Sequence, residues 1–158
     1  MTEPRSSADR VRQALRDLGL TPEIREFGQT TRTSADAAAA IGCSVAQIAK
    51  SLVFRAADSG RAILVIAAGD RRVNETKLAS HIGESIERAP PDLVRAATGF
   101  AIGGVAPLAH PAALTTFVDT SLRRFEVVWA AGGTPHTVFP IAPADLYRVA
   151  GGTELDVA

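Results

Sequence analysis

The 158-residue chain contains one cysteine, one tryptophan, one tyrosine and one methionine, and its aromatic content is 5%. A single cysteine, Cys43, excludes an intramolecular disulfide and a thiolate zinc cluster, and fits a reducing compartment, so the cytoplasm is the expected location. The three histidines show no i, i+4 pairing, and neither a Walker A loop nor a Gly-x-Gly-x-x-Gly fingerprint occurs; no metal or cofactor is expected. Excess charge is also missing. With 17 basic and 17 acidic residues the formal net charge is +0, which excludes the global basic field of a tight, sequence-independent nucleic-acid binder, and no DNA partner is expected. No apolar run approaches the length of a membrane span, and the charged stretch 1–16 has no apolar signal-peptide core, so no membrane role is expected.

Lysine is the scarcest cation. Fifteen of the 17 basic residues are arginine, leaving Lys50 and Lys77. Lys50 opens the strand-like run Lys50-Ser51-Leu52-Val53-Phe54 and is expected at the outer end of that strand. Downstream lie two glycine-paired loops, Gly103-Gly104-Val105-Ala106-Pro107 and Gly132-Gly133-Thr134-Pro135-His136, whose glycines let backbone approach a ligand closely. One cation and two bare-backbone loops point to an anionic or carbonyl-bearing substrate. Local basic groups at Arg71-Arg72 with Lys77, at Arg123-Arg124, and at Arg10, Arg12 and Arg16 read first as solvated faces; they permit an RNA partner without requiring one.

Length and composition fit a single domain over 1–158. Apolar residues at Val11, Leu15 and Leu18 predict an amphipathic helix over 7–18, followed by a short strand at 22–27. Ser34 and Asp36 precede a helix at 37–41, and Ser44 precedes a second at 45–49, with Gly42 between. The strands 52–54 and 62–67, joined through Asp58-Ser59-Gly60, read as an antiparallel hairpin. Helices follow at 74–81 and 90–97, then strands near 114–119, 126–130 and 137–141, and a closing helix at 143–149. This order does not alternate as βαβ units do, so the expected class is α+β, a mixed, mainly antiparallel central sheet flanked by helices.

Taken together, Gln47-Ile48-Ala49-Lys50-Ser51-Leu52-Val53-Phe54, the run from Thr98 to Leu108 containing Gly103-Gly104-Val105-Ala106-Pro107, and Ala131-Gly132-Gly133-Thr134-Pro135-His136 resemble the YbaK-type aminoacyl-tRNA deacylases, relatives of the editing domain inserted in bacterial prolyl-tRNA synthetase. The resemblance continues through Val73 to Leu78, Phe117-Val118-Asp119 and Pro143-Ala144-Asp145-Leu146, covering nearly the whole chain in order. It implies metal-free hydrolysis of the ester joining a wrong amino acid to the terminal ribose of a tRNA, most simply a tRNA for proline, with prolyl-tRNA synthetase as an associated partner. The family lysine matches Lys50, its substrate-lining loop Gly103 and Gly104, and its second loop Gly132 and Gly133. The chain departs at Ala109-His110, where many members carry glycine, and Thr134-Pro135-His136 varies among subfamilies. Alanine, cysteine, serine and threonine remain open as the amino acid removed.

The residue chemistry agrees with that reading without depending on it. An aminoacyl ester is already activated, so a catalyst chiefly orients water and stabilises the oxyanion, which backbone N–H groups in a fixed loop can do. Lys50 can hold a phosphate or the ester carbonyl as a point charge; as a neutral general base it would need a pKa lowered by several units. His136, beside the second glycine loop, is the candidate general acid or base, ahead of His81 and His110. Asp119 can position the substrate amino group or cap a turn, Ser51 can offer a hydroxyl, and Asn74 can cap the helix containing Lys77 or touch substrate. Pro107 and Thr134 belong to the loops expected to line the substrate. Two other readings stand beside this one: a non-catalytic RNA or aminoacyl-adenosine binding module docking on a synthetase, and a thiol hydrolase using Cys43 with His136.

Overall fold

Six consecutive residues, Ile63 to Ala68, are each 0% exposed, which marks their strand as the centre of the architecture, covered on both faces. The computed structural model describes residues 6–27 and 33–158, so residues 1–5 of the charged N-terminal stretch lie outside the described residues. In chain order the elements are α1 (Ser7–Asp17), β1 (Arg25–Glu26), α2 (Ser34–Ile41), a 3-10 turn (Val45–Gln47), β2 (Ile48–Ala56), β3 (Ala62–Ala68), α3 (Glu75–Ile82) and β4 (Ile86–Arg88). They continue with α4 (Pro91–Thr98), β5 (Thr115–Asp119), a second 3-10 turn (Thr120–Arg124), β6 (Val128–Ala131), β7 (Thr137–Ile141), α5 (Pro143–Ala150) and β8 (Thr153–Leu155).

The strands form one sheet in the order β1-β7-β6-β2-β3-β5-β8, with β4 also paired to β2. Four pairings are antiparallel (β1·β7, β2·β3, β2·β4, β6·β7) and three parallel (β2·β6, β3·β5, β5·β8). The protein is therefore α+β with a mixed, mainly antiparallel sheet. Alternation along β3 sends Leu64 and Ile66 into a core with Val11 and Leu15 of α1, Phe100, Val118, Phe139 and Leu146. Ile63 and Val65 go to the opposite face, against Phe54, Leu78 and Phe117. Each fully buried side chain of this size contributes roughly 2 kcal/mol.

Helix boundaries follow local chemistry. Ser6, Thr33 and Asn74 cap α1, α2 and α3 by accepting backbone N–H groups, while Gly42, Gly83, Gly99 and Gly151 close α2, α3, α4 and α5 in the left-handed conformation. The expected helix at 45–49 is corrected to a single 3-10 turn. Gln47 returns its side chain to Ser44 there, and Ile48 and Ala49 are taken into the sheet opposite Trp129 and Ala130. Lys50 is consequently the third residue of its strand rather than the outermost, and the strand expected at 22–27 is confined to Arg25–Glu26.

Candidate active site

β2 is laddered to β3 along one edge, but its other edge is shared. β6 covers only Ile48 and Ala49, and β4 covers only Phe54, Arg55 and Ala56. Among the described residues, Lys50, Ser51 and Leu52 border no strand on that side. The Gly69 N–H donates to the Ile48 carbonyl at 2.8 Å, and antiparallel bonds alternate, so even-numbered residues of β2 bond to β3 while the Ser51 N–H and C=O face the open edge. Backbone polar groups on an unpaired edge are available to a ligand.

The gap opens into a cleft of about 510 Å³ whose lining includes Lys50, Ser51, Arg88, Gly103, Val105 and Trp129. An annex of about 210 Å³ shares Ser51, Arg88 and Gly103 and continues to Val53, Ala89 and Val94. Among the described residues, Lys50 and Arg88 are the charged residues of this lining, and both are cations. Burial pulls the Lys50 ammonium below the usual lysine range and Arg88 pulls the same way, opposed by Asp70 and Asp119. Those two carboxylates are engaged elsewhere, Asp70 by Arg124 at 3.0 Å and Asp119 by Arg71 at 3.7 Å. The Ser51 hydroxyl oxygen is buried and has no hydrogen-bond partner among the described residues, a state that costs about 1–3 kcal/mol unless a ligand or water relieves it.

The glycine loops meet each other beside this cleft. A Cβ on Gly104 would lie 2.7 Å from the Thr134 Cα and carbonyl carbon, so this glycine exists to let the second loop's backbone touch the first. Gly132 packs against Thr137 and Ile24, and Gly133 against the Ser7 carbonyl of α1. Gly103, at φ +89 with nothing closer than the Pro135 side chain at 3.8 Å, is the glycine that borders the cleft. The Gly104 N–H donates to Ala101 O at 2.9 Å and the Gly132 N–H to Thr137 O at 2.8 Å, whereas the N–H groups of Gly103 and Val105 bond to no described residue. The N–H groups on either side of Gly104 are thus left unbonded within the loop.

The remaining sequence-predicted residues lie outside the cleft lining. The Asp119 carboxylate is 0% exposed and accepts the N–H groups of Ala68 at 3.1 Å and Ser121 at 3.0 Å, tying β5 to the end of β3. Asn74 accepts the Lys77 N–H at 3.0 Å and caps α3. Pro107 is buried, and Thr134 accepts the His136 N–H at 3.2 Å within its own turn. His136 flanks the cleft-lining Pro135 and Thr137 but does not itself line the cleft. His110 is tied to Ala106 O at 2.8 Å, and burial lowers its pKa. Cys43 packs beside Ala37, Ala38 and Ile48, and burial pushes its thiol up, which keeps it protonated at neutral pH. The sequence reading missed Arg88, Val105 and Trp129 as cleft residues. Trp129 was detectable as the only tryptophan of the chain.

Among the described residues, the cleft joins a lysine on an open strand edge to a glycine loop with unbonded N–H groups, with no acidic side chain in the lining. The model of the aminoacyl-tRNA editing domain family matches residues 29–149, and the chain belongs to that family. It is 36% identical over 126 residues to the uncharacterized protein YwhH of Bacillus subtilis (strain 168), covering 78% of each chain. It is 33% identical over 101 residues to the proline–tRNA ligase of Nitratidesulfovibrio vulgaris (strain DP4), a match spanning 63% of this chain and 17% of the ligase. Among solved structures, a candidate trans-editing enzyme for prolyl tRNA synthetase superposes with a TM-score of 0.89 at 38% identity, covering 98% of both chains. Hypothetical protein APE2540 does so with 0.85 at 30% identity, covering 94% of this chain and 98% of the other. Among the described residues no helix is long and apolar enough to cross a membrane, and no group of three His, Cys, Asp or Glu could hold a metal.

Proposed function

We propose that this chain acts as a trans-acting deacylase of the cytoplasm, hydrolysing the ester of a tRNA for proline that carries a small wrong amino acid. The observation that carries this reading is that Lys50, Gly103 and Val105 line one cleft, the last two with N–H groups that bond to no described residue. Water adds to the ester carbonyl, and the tetrahedral oxyanion is held by those N–H groups and the Lys50 ammonium. Collapse expels the ribose oxygen, which takes up a proton, and releases the free amino acid. The ribose hydroxyl next to the ester can relay that proton, which removes the need for a protein base and agrees with His136 lying off the lining. Gly104 contributes by spacing the two loops. The small annex beside Ser51 suits a small amino acid side chain, and prolyl-tRNA synthetase is the partner that the ligase relatives support.

The test is release of labelled amino acid from tRNA for proline charged in turn with alanine, cysteine, serine or threonine. Rapid release from one of them, falling at least about 100-fold in folded Lys50→Ala, is the expected result, the size expected for loss of an oxyanion-stabilising group. No release from any substrate, with the tRNA still bound, would instead establish a binding module.

A further inference from the structure

β4 is only three residues long, and its register on β2 sets Arg88 opposite Phe54. The guanidinium carbon lies 5.4 Å from the centroid of the Phe54 ring, a cation–π seat that restrains an otherwise exposed side chain. From there Arg88 lines both the cleft and its annex. Its neighbour Arg55 is paired with Glu87, and Arg12, Arg71, Arg123, Arg124 and Arg148 each hold a carboxylate, but Arg88 has none within ion-pair distance among the described residues. In a chain with equal numbers of acids and bases, the described lining of the cleft holds two cations and no carboxylate.

We propose that Arg88 is a phosphate-positioning residue: it holds the phosphodiester that joins the terminal adenosine to the preceding nucleotide, leaving Lys50 to the ester. This rests on the editing reaction proposed above and divides the labour between its two cations. The planar guanidinium presents paired N–H donors that match two phosphate oxygens, whereas the ammonium is a point charge suited to a single carbonyl or oxyanion. Lys50 also sits on the open edge of β2, next to the Ser51 backbone groups, while Arg88 belongs to the strand that bounds the gap. The repulsion Arg88 exerts on Lys50, which lowers the Lys50 pKa, is relieved when a phosphate neutralises the guanidinium.

The experiment has a binding arm that needs no turnover. Trp129 is the only tryptophan and lines the cleft, so its emission reports occupation by an uncharged acceptor-stem RNA ending in CCA. Arg88→Ala should weaken that binding about tenfold at low salt and flatten the dependence of log K on log salt by about 0.7, the share of one single-strand phosphate. Arg88→Lys should recover part of the affinity, and Arg61→Ala, at the far turn of the β2–β3 hairpin, should change neither quantity. Affinity and slope both unchanged in Arg88→Ala would overturn the proposal.

The second arm compares mischarged tRNA with the same amino acid on adenosine lacking any phosphate. At a pH where Lys50 is protonated in both the wild type and the variant, Arg88→Ala should raise KM on the tRNA with kcat retained and leave the phosphate-free ester untouched, while Lys50→Ala should impair both. Equal losses on the two substrates in Arg88→Ala would overturn the phosphate assignment. A wild type that binds RNA through Arg88 yet hydrolyses nothing would sink the editing reaction and leave the phosphate contact standing.

Discussion

Gly103 and Gly104 adjoin in one loop and Gly132 and Gly133 in another, yet a Cβ would meet open space only at Gly103, where the nearest atom is 3.8 Å away. At the other three positions it would lie 2.7, 2.9 and 2.7 Å from protein atoms. A glycine pair next to a cleft therefore reports two different needs. One residue leaves the cleft open, and three let the loops and α1 close on one another. Gly103 is the glycine that borders the cleft, and the other three sit in the contacts that hold its loop in place.

The largest expected effect comes from treating both kinds alike. Gly104→Val puts side-chain atoms against Thr134 backbone that cannot rotate away, and overpacking of this severity costs about 3 kcal/mol. Urea unfolding should show a clearly lower midpoint, with activity lost because the loops separate. Gly103→Ala meets no clash and carries only the left-handed penalty of roughly 1–2 kcal/mol, so at a temperature where both variants are folded its deacylation should fall further than its stability. Full turnover in Gly103→Ala would remove that loop from the ligand, and a normal midpoint for Gly104→Val would dissolve the distinction.

A second contrast lies between Lys50 and Asp119, which flank Ala67 and Ala68 of β3 from opposite sides. The carboxylate is satisfied by backbone and Arg71, whereas the ammonium lines a cleft with no acid among the described residues. Because the folded-state pKa of Lys50 is lowered, the unfolded chain binds more protons between that value and the ordinary lysine range. Across this window stability rises with pH while the Lys50 side chain loses its charge and the cleft keeps only Arg88 of its two described cations. Activity should fall as pH rises through the lowered pKa, and Arg88→Ala should move that limb to higher pH by removing the repulsion. With only two lysines in the chain, side-chain-labelled NMR resolves the Lys50 titration directly; a titration unmoved by Arg88→Ala would disprove the coupling.

These contrasts also mark where the sequence was readable. Amphipathic spacing, caps and left-handed glycines located the helices, and the apolar hairpin located β2 and β3, because each rests on contacts within a few residues. Ile86-Glu87-Arg88 and Thr153-Glu154-Leu155 carry little strand signal; they are strands because β2 and β5 offer them an edge. Arg88, borne on the first of these, was hidden for that reason. Lys50 was legible through its rarity, but the open edge beside it is set by where β6 and β4 stop. Asp119 was legible as a carboxylate ending a strand, whereas its Ala68 partner lies 51 residues away.

The smallest expected effect concerns Ala109, the one non-glycine residue at positive φ among those described, at +69. It lies between the buried Leu108 and His110, whose ring is held at Ala106 O, so surrounding contacts enforce a conformation that alanine resists by roughly 1–2 kcal/mol. Glycine would relieve that strain but returns about 0.4–1 kcal/mol as unfolded-state entropy. Ala109→Gly should therefore raise stability by about 1 kcal/mol or slightly less, read as a small increase in the urea midpoint. Since residue 109 does not line the cleft, deacylation should be unchanged. A destabilised Ala109→Gly would mean that the left-handed turn is held more tightly by its flanking contacts than it is opposed by the alanine Cβ, and the comparison between glycines that close loops and glycines that face ligand would then rest on packing alone.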